Sequence, residues 1–334
     1  MSLKTIPQGP ISKYQKIVDE LTLLIESGTL NVGDKLPSIE QFSKTHQVAQ
    51  ETVVKAYKKL KASGIVDSSP KKGFYLLTNN TQKKWRVLVL FNVLSPSKEK
   101  IFKAIADTFK DNAHLDLLFH YNNLEVFENI IKSKLNSYHY FIVMPHFNSQ
   151  ASEEILKIIP PEKLYILDRP LKNHIEGAST VHQDFKRDVY GALNSQLNAI
   201  LKYQKLVLVF PREKNLPLEI IDGVKMFAKE NKLALSVVEN VNQKHLEKGS
   251  LFITTTDDSL IDLIELQQST TMKLGKDIGL ISYNENPLKR VLAGGITTIS
   301  SDFTEMGTTV ANLIMNKEQK VVHSSFNLIK RKSL

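Results

Sequence analysis

Apolar positions in the first quarter of the chain recur with a period near 3.6. Ile17, Val18, Leu21, Leu24 and Ile25 predict an amphipathic helix, opened by a capping box at 12–15 behind Pro10 and stopped at Gly28. The turn "GTLNVGDKLPS" follows. Ser38 is placed to cap a short second helix over 39–45 that turns Phe42 inward. A third helix starts near Ala49. Its apolar stripe is Val53, Ala56, Tyr57 and Leu60, and Lys55, Lys58, Lys59 and Lys61 avoid that stripe until Gly64 ends it. Residues 65–67 and 74–77 then read as two short strands joined by the tip "SSPKKG". Three helices and a hairpin predict a winged helix-turn-helix over 1–77.

The polar segment from Thr78 to Lys84 has no apolar period and reads as a linker, with boundaries near 78–85. Beyond it the pattern changes. Strand-like apolar runs at 87–91, 115–119, 140–144, 164–167, 206–210, 235–238, 251–254 and 278–282 alternate with helical patterns at 101–109, 127–135, 189–201, 218–231 and 260–267. Buried runs alternating with helices predict parallel sheets with crossover helices, and their number predicts two lobes over 86–334. The expected fold class is α/β: a winged helix-turn-helix followed by a two-lobed α/β body. Ligands in such bodies bind at the carboxyl ends of the strands.

Charge sharpens the division. The net charge is +9, and residues 1–84 hold 13 lysines, no arginine and 7 acids, so +6 of the excess lies in that quarter. This asymmetry points to a polyanion-binding module on a near-neutral body. The stretch "QVAQETVVKAYKKLKASGIV" has four lysines and no arginine, which raises the question of how it reads bases. With no cysteine, disulfides, Cys-based zinc sites and thiol nucleophiles are excluded. No leader-like apolar segment follows the first lysine and no run is long enough to span a bilayer, so a cytoplasmic protein without a membrane partner is expected. Six histidines between 114 and 182 lack the i, i+4 ligand spacing of a helix and read as surface or loop residues; no metal is expected. Asp257-Asp258 lacks a third group for catalysis, and Gly294-Gly295 lacks the flanking pattern of a phosphate loop.

The sequence from "GTLNVGDKLPS" through "ETVVKAYKKLKASGIV" to "KKGFYL" resembles the DNA-binding domain of the GntR family of bacterial transcriptional regulators. The resemblance runs in order over about 70 residues. It implies DNA contacts from Ser38, Gln50, Thr52, Lys55, Lys72 and Gly73. It also marks departures: Glu40, Gln50 and Val54 stand where the family often has arginine, and Lys71-Lys72-Gly73 replaces a Gly-x-Gly wing. Gln50 suits adenine, Thr52 a thymine methyl or phosphate, and Lys55 guanine or phosphate, so an A·T-leaning operator is expected. The plain alternative for Gln50 and Glu51 is a solvated helix start.

The body resembles the effector domain of LacI-type regulators, the type I periplasmic-binding-protein fold. The resemblance is carried by "LYILDRPL", "IIDGVKMFAKE", "LFITTTDDSLID", "DIGLISYNENP", "GITTISSDFTEMGTTVANLI" and "LIKRKS". A GntR-type head on such a body is the layout of the arabinose repressors. The resemblance implies effector contacts from Ser95, Asp168, Thr256, Asp257, Asn284 and Phe303. Asn284 stands where an aspartate is usual and Ile220 where a sugar-clamping arginine is frequent. For Asp168 and Asp257, structural caps or loop ion pairs are an equal alternative. The implied protein is a homodimer on an inverted-repeat, double-stranded operator, with a small-molecule effector, a sugar among the candidates, bound between the lobes. No cofactor and no enzymatic step are needed. The competing expectation is a DNA-binding head fused to a pyridoxal-phosphate-dependent, aminotransferase-like enzyme body, for which no recognisable Schiff-base lysine is found.

Overall fold

The computed structural model describes residues 13–70, 72–78, 84–147, 151–212 and 216–334. The capping box expected at Pro10 and Ser12, Lys71 of the hairpin tip and linker positions 79–83 lie outside the described residues. The chain divides into two compact units, Met1–Lys84 and Trp85–Leu334.

In the first unit, α1 (Lys13–Glu26), α2 (Ile39–His46) and α3 (Gln50–Ala62) precede the antiparallel hairpin β1 (Val66–Ser69) and β2 (Gly73–Leu76). The core joins the predicted stripe, in which Val53, Ala56, Tyr57 and Leu60 are buried, to Leu21, Phe42 and Leu76. The Tyr57 hydroxyl donates to the Pro37 carbonyl at 2.9 Å, which pins α3 beneath the turn before α2. Burial pushes the phenol well above its ordinary pKa. Residues 33–36 run along the free edge of β2: Gly33 N donates to Leu76 O, Leu76 N to Asp34 O, and Leu36 N to Phe74 O. The wing is thereby welded to the turn.

The second unit holds two six-stranded sheets. The first is ordered β13-β7-β6-β5-β3-β4, comprising β3 (Trp85–Phe91), β4 (Ala113–Phe119), β5 (Tyr140–Val143), β6 (Leu164–Asp168), β7 (Ser179–His182) and β13 (Val321–His323). The second is ordered β14-β12-β11-β10-β8-β9, comprising β8 (Lys205–Val209), β9 (Ala234–Val238), β10 (Ser250–Thr254), β11 (Gly279–Tyr283), β12 (Thr297–Ser301) and β14 (Phe326–Ile329). All pairings are parallel except β12 with β14. The helices are α4 (Pro96–Phe109), α5 (Leu124–Lys134), α6 (Ala151–Leu156), α7 (Phe185–Asn194), α8 (Leu197–Ile200), α9 (Glu219–Glu230), α10 (Asp257–Gln268) and α11 (Phe303–Met315). The single helix expected over 189–201 is two, because the chain turns at Ser195-Gln196.

The chain passes between the lobes three times: after β7, after β12 and after β13. α11 follows a strand of the second sheet but packs on the first lobe, against α4. That packing is close: a Cβ built on Gly307 would lie 2.4 Å from the Ile101 carbonyl oxygen and 2.8 Å from Ala104 Cβ. Among the described residues no helix is long and apolar enough to cross a membrane.

Candidate nucleic-acid interface and effector cleft

α3 presents a defined outer face. At 3.6 residues per turn, Glu51, Lys55 and Lys58 lie opposite the buried Val53, Ala56 and Leu60, and all three are exposed. Gln50 and Thr52 fall on the two shoulders of that face. Lys55 Nζ lies 3.3 Å from Glu51 Oε1 one turn back. On α2, Lys44 pairs with Glu40 at 2.8 Å in the same spacing. Lys61 is engaged elsewhere: its ammonium meets Asp67 at 2.8 Å and donates to Ser68 Oγ at 2.8 Å, tying α3 to the base of the wing. Hydrogen bonds from Lys61 and from Ser68 N lower the Asp67 pKa.

Ser38 caps α2, its Oγ accepting from Gln41 N at 3.1 Å. The backbone donors of this first turn sit where a phosphate can be held. Gly73 opens β2 at φ +71°, a left-handed conformation that a side chain strains, and it is exposed with open space around its Cα. Lys72, also exposed, holds its ammonium 5.7 Å from the Tyr75 ring.

In the body, the lobes face each other across a cavity of about 700 Å³ whose lining includes His146, Phe147, Arg169, Gln183, Phe185 and Glu219. Asp168 ends β6 behind this wall, buried and at φ +74°. His146 Nε2 lies 2.8 Å and Lys98 Nζ 3.5 Å from its Oδ2, and Gln183 Nε2 donates to its Oδ1. Burial raises the carboxyl pKa, but the charges of Lys98 and His146 and the hydrogen bonds from His146 and Gln183 outweigh it, so Asp168 stays far below the usual carboxylate range. Burial in turn lowers the His146 pKa, against the pull of Asp168.

A second polar cluster lies at the carboxyl ends of β10 and β11 in the second lobe. The ammonium of Lys289, 1% exposed, donates to the carbonyls of Tyr283 and Asn284 at 2.8 Å each and meets Asp257 Oδ1 at 2.8 Å. Asn286 Nδ2 reaches the other oxygen of Asp257 at 3.1 Å. Among the described residues, polar contacts between the lobes include Lys100 Nζ to Glu285 O at 3.0 Å, Arg169 to Glu219 at 3.5 Å, and His323 Nε2 to Asp188 Oδ1 at 2.8 Å.

The first unit matches the family model "Bacterial regulatory proteins, gntR family" over residues 13–76. The head is a GntR-type helix-turn-helix domain. Over 74 residues, 22% of this chain, it is 31% identical to the uncharacterized HTH-type transcriptional regulator YcxD of Bacillus subtilis, and the match spans 17% of that relative. The body shares its fold with LacI-type repressors. The structure of the Escherichia coli transcriptional repressor ascG superposes with a TM-score of 0.63 at 17% identity, covering 75% of this chain and 99% of that one. A LacI family transcriptional regulator from Enterococcus faecium with bound ribose superposes at 0.60 and 19% identity, covering 74% and 98%. An aminotransferase-like body is therefore not what this head carries.

Glu40, which stands where an arginine is frequent in the GntR-type pattern, and Glu51 put carboxylates on α2 and α3, and each is paired to a lysine one turn on. Of the expected DNA contacts, Lys55 lies on the outer face of α3, Gln50 and Thr52 on its shoulders, Ser38 at the head of α2, and Lys72 and Gly73 on the wing. Of the expected effector contacts, Ser95 and Thr256 are N-caps of α4 and α10, accepting from Lys98 N and Ser259 N. Asp257 and Asn284 meet through Lys289. Asn284 adopts φ +62° at the end of β11. Phe303 is buried among Ile101, Ile105 and Met306 in the first lobe's core.

Lys98 and Lys289 were not expected at the site, their partners lying far away in sequence, and Arg169, the basic neighbour considered for an ion pair with Asp168, meets Glu219 instead. The histidines also need correction. His114, His139 and His174 are exposed, but His120 is fully buried, its Nε2 3.0 Å from Met144 O, and His146 and His182 line the cavity. A loop position next to a strand end is not a surface position when two aromatic rings cover it: Phe127 and Phe147 lie 5.1 and 4.8 Å from the His120 ring.

Proposed function

We propose that the chain is a transcriptional repressor that binds an operator through its head and releases or tightens it when a small molecule occupies the cleft of its body. The observation that carries the reading is the outer face of α3, basic and exposed on a GntR-type frame, in one chain with a two-lobed repressor fold. A homodimer places two heads on the half-sites of an inverted repeat. Lysines supply most of the grip on phosphate, so affinity falls steeply with salt.

The effector class is a sugar or another small polar metabolite. The cleft supports this by its size and by its mixture of Phe147 and Phe185 with Gln183, His146 and Arg169. The E. faecium neighbour holds ribose in the same fold. Among the acidic groups in and behind the cleft, Asp168 and Glu219 are paired with Lys98 and Arg169, and Glu153 accepts from Lys172 N and Asn173 Nδ2, so recognition rests on Gln183 and the Arg169 fork rather than on those carboxylates. Ligand binding shifts the balance between lobe arrangements, a coupling of about 1–3 kcal/mol on the usual scale.

The test has two arms. Duplexes are selected from a random pool with purified full chain, and a thermal-shift screen of sugars and related metabolites identifies a ligand. The reading expects a defined duplex whose affinity changes when the ligand is present. Uniform binding of all duplexes would overturn the DNA reading. A ligand that raises the melting temperature yet leaves operator affinity unchanged would overturn the coupling.

A further inference from the structure

We propose that Glu51 reads a cytosine in the operator, an inference that rests on the DNA-binding reading of the head. Base edges in the major groove are contacted by the N-terminal residues of a recognition helix. Glu51 is the second residue of α3, and it lies on the line opposite the buried stripe rather than on a shoulder, unlike Gln50 and Thr52. The side chain that penetrates the groove most directly is thus a carboxylate.

Such a group can only accept hydrogen bonds. Cytosine offers the N4 amino donor. Guanine and thymine turn acceptor oxygens toward the groove at the corresponding place, and adenine pairs its amino donor with the N7 acceptor beside it. Cytosine is the base that a carboxylate selects and guanine and thymine are those it repels.

A negative charge among phosphates needs an offset, and the structure supplies one. Lys55 sits one turn on, with its ammonium 3.3 Å from Glu51 Oε1. Both side chains are largely exposed, so the pair is weak in water and can rearrange on the duplex. Lys55 then swings to a flanking phosphate while staying close enough to screen the carboxylate. The expectation of an A·T-leaning half-site followed from giving Gln50 the leading place; with Glu51 at the centre of the face, the half-site contains an obligatory C·G pair.

The experiment selects duplexes from a random pool with the full chain, then measures affinities for the selected site and for a version with the specified C·G pair changed to T·A. The wild type should discriminate by roughly tenfold or more. Glu51→Ala should bind both duplexes equally, and Glu51→Gln should move the preference toward adenine, while both keep the wild-type thermal melt because the side chain is exposed. If Glu51→Ala and Glu51→Gln retain the wild-type C-over-T ratio, or the wild-type half-site specifies no cytosine, the inference is overturned while the DNA-binding reading stands. If the wild type selects no duplex at all, both fall together.

Discussion

His120 offers a quantitative test of the body's packing. Its ring is fully buried, edge-on to Phe127 and stacked on Phe147, with Nε2 held at 3.0 Å by the Met144 carbonyl. Protonation would place a charge in that apolar box. Burial accordingly pushes the pKa down to about 4, the Met144 hydrogen bond opposing this and the nearby His146 adding to it. In the unfolded chain the imidazole titrates at about 6.5. The sign follows directly: above pH 6.5 neither state binds the proton and the contribution is complete. As pH falls from about 6.5 toward 4, the unfolded chain takes up a proton that the folded chain refuses, and stability drops. By proton linkage the loss reaches about 2.5 kcal/mol at pH 4.5. His120→Gln keeps a donor near Met144 O and cannot titrate. Chemical denaturation of the body transition at pH 7.5 and 4.5, for wild type and variant, isolates the effect as a double difference in which other groups cancel. Equal pH dependence in the two proteins would refute the reasoning. Because Phe147 also lines the cavity, acid loosening at His120 should weaken ligand binding in the same pH range.

The other predictions concern packing, capping and grip. Gly307→Ala should destabilise the body by about 1–3 kcal/mol despite the better helix propensity of alanine, since its Cβ meets the α4 backbone; a stabilised denaturation midpoint would contradict the α4–α11 packing. Tyr57→Phe should lower the stability of the head by about 1 kcal/mol through the stranded Pro37 carbonyl, and an unchanged head transition would deny that hydrogen bond a role. Binding of a selected duplex, followed by anisotropy across a salt series, should fall with a log–log slope of about −0.9 for each lysine–phosphate contact. A flat series would remove the lysines from the interface.

How much of this was legible in the sequence depends on how local each determinant is. The head's helices were readable because the Val53–Leu60 stripe and its glycine stops are local signals. The strand-like segment at Lys35 was not, because its pairing with Tyr75 depends on a fold already formed. In the body, the central apolar strands were found, but β12 was missed because it is "TTISS": five buried residues, four of them hydroxylic, with Thr297 bonded to the Arg331 backbone and Ser300 to the Ser301 carbonyl. β13 and β14 are short and partly exposed, and α11 crosses back to the first lobe, which no periodicity encodes. Asp168 and Asp257 stood out as candidate site residues, yet their neutralising lysines, Lys98 and Lys289, come from other elements, so the cleft's electrostatics were invisible one element at a time. Glu51 was not among the expected base contacts because its meaning depends on the direction of the buried stripe, which places it at the centre of the outer face.

The central claim is that one chain joins sequence-specific DNA binding to ligand control through its cleft. The most direct measurement is the affinity of the full chain for its selected duplex with and without a saturating ligand found by thermal shift. The account predicts a change of about 5- to 150-fold. Equal affinity in the two conditions, with the ligand shown to be bound, would contradict it.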